Sequence, residues 1–479
     1  MTQRIVKMDQ NILENIQRLL ETAQSEPPRL YLVGGVVRDW LLGKEIKDID
    51  IVCRDAKKLT ETIAEVKKVT VVAFEKKVHE PCYRIVDRDI KEYTIDISEM
   101  RGENINDDLK RRDFRINAIA MEIIPGGFSA AIIDPLDGQT DLKQRLIRLC
   151  SDHAIRDDPL RMLRAIRFSA ELEFTIENDT EVSIGQEAFR LTESAPERVM
   201  SEMIRIFSVP NCTPYIRKMD QLGLLELVFP EIQPMKACTQ NAYHHQDVWN
   251  HSLNVLENCE IILTHLESYF GDQGFVILDC LKKNDRLPLL KIVGLFHDVG
   301  KPDTRKVQLE SGRISFCGHD AKGKDILSAM AARLKMSGNS RMFLEMLAAE
   351  HLHVVNLSKP GVKKTTIINF FRKLGDDAVL SIILSMADTK SKMGPSAIES
   401  EKKTHLDWCR KIVVEYFCSL KKQFEEKNLI GGKDLIDMGV VPGPEMGKIL
   451  KKTRNAQDSG MLRNKQDAVD FIKSMISAG

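Results

Sequence analysis

Residues 46–52 read IKDIDIV, a run whose alternation of acids and large aliphatics admits few folds. In an extended chain successive side chains point to opposite sides, so Ile46, Asp48, Asp50 and Val52 share one face while Lys47, Ile49 and Ile51 share the other. Two neighbouring carboxylates repel, and a short apolar strand that presents them needs a cation over that face. The plain alternative is a solvated edge strand whose acids prevent aggregation. Immediately upstream, RLYLVGGVVRDWLLG reads as a short strand from Leu30 to Val33, a turn at Gly34 and Gly35, and a helix beginning near Val36. Glycines at such a turn let backbone N–H groups approach a ligand, and the helix start carries partial positive charge suited to phosphate. Arg38, in the first turn, can fork onto a phosphate oxygen. Phosphate grip and acid pair thus fall in one βαβ-sized unit. Asp48 and Asp50 would hold Mg²⁺, which prefers one or two carboxylates plus phosphate oxygens, against a nucleoside triphosphate. Asp96, in the alternating segment EYTIDIS, is the candidate third carboxylate, with an ordinary outward-facing acid as its alternative.

The 479 residues suffice for about three domains. Lys+Arg and Asp+Glu both number 70, so nucleic-acid binding must rest on local patches rather than on overall charge. The ten cysteines include no CxxC pair, which argues against a thiolate zinc site and a disulfide framework, and for a reducing, cytoplasmic setting. MTQRIVKMDQNILENIQRLL reads as an amphipathic helix, and no apolar run approaches membrane-spanning length, so no membrane partner is expected.

LVGGVVRDWLLGKEIKDIDIV resembles the signature of the class II tRNA nucleotidyltransferase and bacterial poly(A) polymerase superfamily. The likeness continues through RRDFRINAIA (111–120), DPLDGQTDLKQRLIRL (134–149), DDPLRMLRAIRF (157–168) and APERVMSEMIRIF (195–207), in the family's order. The resemblance implies a catalytic head similar to the DNA polymerase β palm, and untemplated addition of nucleotides to an RNA 3′ end. It implies that Arg112 contacts the nucleotide, with Asp113 beside it, whereas Arg111 and Arg115 read as a surface basic cluster.

Asp158 followed by Pro159 is a helix start, with an N-cap acceptor and a proline at the first helical position. Arg161, Arg164 and Arg167 then recur every three residues on one broad face, while Leu160, Leu163 and Ile166 share another. Three arginines on one face repel unless something anionic lies across them. An acid and an arginine three residues apart can also read a base. The carboxylate accepts from the exocyclic amine of cytosine or adenine, and the guanidinium donates to the adjacent ring nitrogen or to O2 of cytosine. Guanine and uracil present a carbonyl where the carboxylate needs a donor. By motif position the resemblance makes Asp158 and Arg161 the base-reading pair, and Arg164 and Arg167 nucleotide-binding support. The residue before the template aspartate is often Glu in enzymes that make all of CCA and is Asp157 here, which leaves open addition of C and A, only C, only A, or many A residues.

From about residue 240 histidines arrive in a pattern: YHHQDVWNHSLNVLE, GLFHDVGKPDTRK, FCGHDAKGKD and AAEHLHVV, followed by SMADTK. His251, His297, Asp298 and Asp388 reproduce the H…HD…D order of the HD phosphohydrolase superfamily, a helical fold in which these residues bind divalent metal. His319 and His351 match accessory positions that hold a second metal or contact phosphate. Imidazole with carboxylate suits Mn²⁺, Fe²⁺, Ni²⁺ or Mg²⁺. The resemblance implies phosphatase or 2′,3′-cyclic phosphodiesterase action on RNA ends; the alternative is a domain that keeps the ligands but serves as a rigid spacer.

KNLIGGKDLIDMGVVPGPEMGKILKKTRNAQ, rich in glycine and ending in a basic helix, offers a glycine turn into a helix N-terminus suited to a phosphate backbone, with an ordinary helical hairpin as an equal alternative; its position after an HD domain resembles that of the body and tail with which CCA-adding enzymes contact tRNA. The expected fold is α+β, a polymerase β-like nucleotidyltransferase head with a small mixed sheet and helices, followed by all-α regions. The expected divisions are a head at 1–150, a helical base-selecting and RNA-binding region at 151–240, an HD domain at 241–395 and a helical tail at 396–479. The expected reaction adds C and A to the 3′ end of tRNA from CTP and ATP, releasing pyrophosphate. Alternatives are a poly(A) polymerase, a CC-adding or A-adding partial enzyme, and an HD phosphohydrolase whose head senses nucleotides.

Overall fold

The computed structural model describes residues 29–74, 81–87, 93–124, 127–241, 246–394, 396–425, 427–458 and 460–477. The helix expected within the first 20 residues lies outside them.

Leu30–Val33 (β1) is wholly buried, and Gly34 turns the chain into the helix Gly35–Leu41 (α1). Gly34 has a φ of 74°, in the region that glycine alone enters freely, and a Cβ there would stand 2.9 Å from Arg112 Nη1. Asp48–Cys53 (β2), Ala56–Lys67 (α2), Thr70–Phe74 (β3), Cys82–Val86 (β4), Thr94–Glu99 (β5), Ile105–Lys110 (α3), Ala120–Ile124 (β6) and Gly127–Ile133 (β7) follow. The strands form one mixed sheet in the order β3-β4-β5-β2-β1-β6-β7. Only β2 and β5 run parallel within it.

β1 and β2 differ from the ends of a βαβ unit: they pair antiparallel, with Leu30 opposite Cys53 and Leu32 opposite Ile51. The consequence is functional. Antiparallel pairing brings the end of β1 beside the start of β2, so the glycine turn lies next to the acids; a parallel crossover would have set it beside Cys53. Tyr31, Val33 and Val52 pack with Ile105 and Leu109 of α3 and with Ala118 and Ala120, forming a core on the sheet face that also carries Asp50.

The compact unit that holds the sheet continues past residue 150. Leu146–Ile147 (β8) is followed by Arg161–Leu172 (α4), and β8 pairs with Thr175–Ile176 (β9). Cys150 N donates to Asp113 O, and Arg115 N to Arg148 O. Beyond β9 lies Pro196–Ser208 (α5). Among the described residues, 29–206 with 215–228 form one compact unit, and 207–214 with 229–477 form the other.

The second unit is helical: Val248–Thr264 (α6), Arg286–Phe296 (α7), a hairpin of Lys306–Val307 (β10) and Ile314–Ser315 (β11), His319–Arg333 (α8), Gly338–Leu357 (α9), Asp377–Ser391 (α10) and Glu399–Glu415 (α11). The residues from Ala378 to Thr389 on α10 are all buried, so this helix is apolar on every side apart from its serines, Asp388 and Thr389. Lys291 on α7 is also fully buried, and its Nζ donates to Glu260 Oε1 at 2.9 Å and to the carbonyls of Val209 and Pro210. Glu260 in turn accepts from Cys212 N and Thr213 Oγ1, so one buried ion pair fastens 209–213 onto this unit. Gly432–Asp437 (α12), Pro444–Asp458 (α13) and Lys465–Ser477 (α14) gather around a small core of their own, including Leu435, Ala456, Ala468 and Ile472.

Candidate functional site

The parallel pairing of β2 and β5 sets Asp48 opposite Thr94 and Asp50 opposite Asp96. Ile49 and Ile51, on the alternate face, are buried. Thr94 Oγ1 donates to Asp48 Oδ1 at 2.7 Å. The next strand adds a residue that no local sequence pattern marks: Arg84 on β4 stands opposite Asp96, and its Nε and Nη2 clamp the two carboxylate oxygens at 2.7 and 2.8 Å. Asp50, Asp96 and Arg84 therefore form a row across three strands. Burial pushes the Asp50 carboxyl up to about 6; Arg112 opposes this, and the neighbouring Asp96 and Asp48 add to it. The buried Asp50 carboxyl, whose ionisation is disfavoured in isolation, together with the acceptor oxygens of Asp48 and Asp96 beside it, fits a divalent cation, which would supply the missing positive charge.

A cavity of about 690 Å³ opens over this row, lined by Asp50, Arg84 and Asp96, by Asp108 and Arg112, and by Asp158 and Arg198 on the far wall. Arg112 Nε donates to Asp108 Oδ2 at 3.0 Å. Arg38, 8% exposed, lies behind the cavity with Nη1 on Asn117 Oδ1 at 2.7 Å and its other donors on Asp39. Asn117 continues to Asp113, which also accepts from Phe114 N and is gripped by Arg164. Burial would raise the Asp113 carboxyl, but Arg164 and these hydrogen bonds hold it well below the usual carboxylate range.

The anion expected across the three arginines of α4 is supplied by the protein. Arg164 binds Asp113, and Arg167 binds Glu202 and Glu171. The guanidinium groups of Arg38, Arg164 and Arg167 surround the Phe168 ring, at 5.0, 5.4 and 4.1 Å from its centroid. Arg167 is buried and does not line the cavity. Nor are Asp158 and Arg161 side by side in a base-reading pose: Arg161 donates to Ala154 O and Arg111 O, while Asp158 accepts from Arg198 Nη2 at 2.9 Å. The helix α4 begins at Arg161 rather than directly after Asp158, which is extended and accepts from Leu160 N at the turn before it. Arg198, within the APERVMSE block, was not singled out by sequence because its partner lies 40 residues away.

In the second unit, His251 comes from α6, His297 and Asp298 directly follow α7, His319 opens α8, His351 lies on α9 and Asp388 on α10. Gly300 permits the close approach of this loop to α8, since a Cβ would stand 2.2 Å from His319 O. Asp298 Oδ2 lies 3.1 Å from His297 Nε2 and 3.8 Å from His251 Nε2, and Oδ1 lies 3.3 Å from His319 Nε2 and 3.8 Å from His351 Nε2. One carboxylate thus faces two groups of imidazoles, each with ligand atoms close enough for one ion. Asp388 Oδ1 closes the first group, 3.2 Å from His251 Nε2. His297, His319 and His351 each direct Nδ1 at a backbone carbonyl, of Gly294, Phe316 and Ala348. Those bonds fix the tautomer that leaves Nε2 as a lone pair, and the buried Nε2 of His297 has no hydrogen-bond partner. An orphaned imidazole nitrogen facing a carboxylate is the donor arrangement of a metal centre.

A second cavity, of about 820 Å³, opens onto Asp298, His319 and His351 and is rimmed by Lys301, Arg313, Lys359, Lys392 and Lys402. His405 on its wall is buried against Ser385, Ser358 and Cys409, and burial pushes its imidazole down to about 4. A depressed folded-state value gives stability that is present at neutral pH and is lost as pH falls from about 6.5 toward 4. Between pH 7 and pH 4.5 the protein is expected to lose up to about 3 kcal/mol more stability than His405→Asn, read by chemical denaturation at the two pH values.

Comparison with known proteins matches both regions of the chain to known domains. Residues 30–148 match the poly A polymerase head domain, 173–236 the probable RNA and SrmB-binding site of polymerase A, and 248–410 the HD domain. An A-adding tRNA nucleotidyltransferase of Deinococcus radiodurans is 31% identical over 454 residues, covering 93% of this chain and 95% of its own. The chain belongs to the tRNA nucleotidyltransferase family. A CC-adding tRNA nucleotidyltransferase of Thermus thermophilus is 28% identical, with 93% of each chain covered. The fold of this nucleotidyltransferase matches the Thermotoga maritima CCA-adding enzyme solved in complex with tRNA, with a TM-score of 0.63, 21% identity, and 98% and 97% of the two chains covered. Among the described residues no helix is long and apolar enough to cross a membrane.

Proposed function

We propose that this nucleotidyltransferase adds C and A to the 3′ end of tRNA from CTP and ATP in a cytoplasmic setting, and that its HD domain hydrolyses phosphoesters on RNA ends. The observation that carries the first reading is the row of Asp50 and Asp96 beside Asp48 on the floor of a cavity whose far wall holds Asp158. The 3′-hydroxyl gives its proton to water as its oxygen attacks the α-phosphorus, and the P–O bond to pyrophosphate breaks, the electron pair leaving with the pyrophosphate. Asp48 and Asp50 would hold Mg²⁺, which lowers the hydroxyl pKa and neutralises charge on the departing pyrophosphate. Gly35 would approach the triphosphate through its backbone, Arg38 would reach it only by leaving Asn117 and Asp39, and Arg112 lines the same cavity as Asp50. Asp158 accepts from the exocyclic amine of the base once Arg198 yields it, and Arg161 donates to the ring nitrogen after leaving its two carbonyls. The basic helix α13 and the turn before it meet the tRNA backbone away from the 3′ end.

For the HD domain, the two imidazole groups around Asp298 fit Mn²⁺, Ni²⁺, Fe²⁺ or Mg²⁺, and the lysines and Arg313 at the rim attract phosphate. A second reading, A addition alone, is favoured by the full-length likeness to an A-adding enzyme.

The test is incorporation of labelled CTP and ATP, separately and together, into tRNA transcripts ending before the CCA, after one C and after two. Ordered C, C and A addition that stops is the expected result, and acceptance of A only onto the transcript ending in CC would establish the second reading. Long A tails on any RNA would make the protein a poly(A) polymerase, and no incorporation would leave the HD site as its activity. Asp158→Ala is expected to lose discrimination against UTP and GTP by about 10-fold to 100-fold, measured as the ratio of kcat/KM values.

A further inference from the structure

Several arginines surround the nucleotide cavity, and most are committed to buried acids. Asp108, which binds Arg112, is 1% exposed, and Asp113, which binds Arg164, is held by Asn117 and a backbone N–H as well. Arg198 is paired with Asp158 on the far wall. Arg84 differs in its partner: Asp96 is a member of the acidic row itself, and both side chains, like those of Arg198 and Asp158, are partly open to the cavity, at 38% and 18% exposure.

As the structure stands, each Asp96 oxygen accepts from one guanidinium, whose positive charge opposes the approach of a cation to that carboxylate. A nucleoside triphosphate entering the cavity carries several negative charges on oxygens that the same planar fork fits at least as well as a carboxylate.

We propose that Arg84 is a positioning residue that clamps Asp96 in the free enzyme and passes to the triphosphate of the incoming nucleotide, releasing Asp96 to face Asp50. The third carboxylate then becomes available only when a nucleotide is present, so the acidic row is completed by the substrate. This rests on the reading of the cavity as a nucleotide site.

The experiment is a binding cycle on the full chain with α,β-methylene-ATP, which cannot be transferred, in EDTA and without RNA, followed by calorimetry. Arg84→Met is expected to weaken binding about 10-fold, the value of a charge-assisted contact. Asp96→Asn is expected to tighten it about 5-fold, because Arg84 is then free for phosphate, and a misfolded chain cannot produce a gain in affinity. In the double variant the gain should vanish and binding should match Arg84→Met. A gain that persists without Arg84 would mean that Asp96 repels the nucleotide directly, and no gain in Asp96→Asn would mean that the clamp does not compete with it; either overturns the proposal. Absence of binding to the unaltered protein would instead overturn the nucleotide-site reading. In steady state the same transfer of Arg84 predicts that Arg84→Met raises KM for the nucleotide about 10-fold and changes kcat by less than about 3-fold.

Discussion

Asp50→Asn is expected to reduce nucleotide incorporation by at least about a thousandfold while leaving HD-site hydrolysis within about twofold. The carboxylate stands between Asp48 on its own strand and Asp96 on the parallel neighbour, within the electrostatic reach of Arg112, and it lines the cavity directly. The amide keeps the shape and removes the charge. Because burial lifts the Asp50 carboxyl to about 6, the ionised group at pH 7 costs the metal-free protein stability. The asparagine variant is therefore expected to melt at a higher temperature than the unaltered protein in EDTA at pH 7, although it is inactive. Loss of activity together with a raised melting temperature separates a lost catalytic group from a lost fold. Near-normal incorporation by Asp50→Asn, in steady-state assays with CTP and ATP, would remove this carboxylate from the reaction.

What could be read along the chain and what could not differ by the distance over which the controlling interaction acts. The common face of Asp48 and Asp50 follows from strand alternation, and the tight turn from Gly34, whose φ of 74° is a local requirement. The histidine series was readable because HD is adjacent in the chain and its partners lie on helices. The antiparallel pairing of β1 with β2 was not, since strand and helix lengths fit a parallel crossover as well. Arg84 was hidden for a related reason: its meeting with Asp96 depends on the register of β4 against β5. The arginines of α4 were recognised as a charged face, but their pairing with Asp113 and Glu202 comes from other segments, the RRDFRINAIA block and α5. Spacing identified the side chains; only packing showed which of them are already occupied.

Asp298→Ala should remove both ions from the HD domain, whereas His351→Ala should remove one and His251→Ala the other. The asymmetry follows from the two oxygens of Asp298, Oδ2 toward His251 and His297 and Oδ1 toward His319 and His351. Lys301, with Nζ 2.6 Å from Asp298 Oδ2, and Lys392, 2.7 Å from Asp388 Oδ2, neutralise the acids in the metal-free state. Both lysines line the 820 Å³ cavity. Hydrolysis of a model phosphodiester should fall at least about a thousandfold in Asp298→Ala, and incorporation of CTP and ATP should be unchanged within about twofold. Metal content by mass spectrometry after loading with Mn²⁺ reads the ions, independently of turnover. A single ion lost from Asp298→Ala would contradict the bridging arrangement. Two ions bound without measurable hydrolysis in the unaltered protein would make the domain a rigid spacer that retains its ligands, and loss of both activities from this one change would end the division of labour between the two sites.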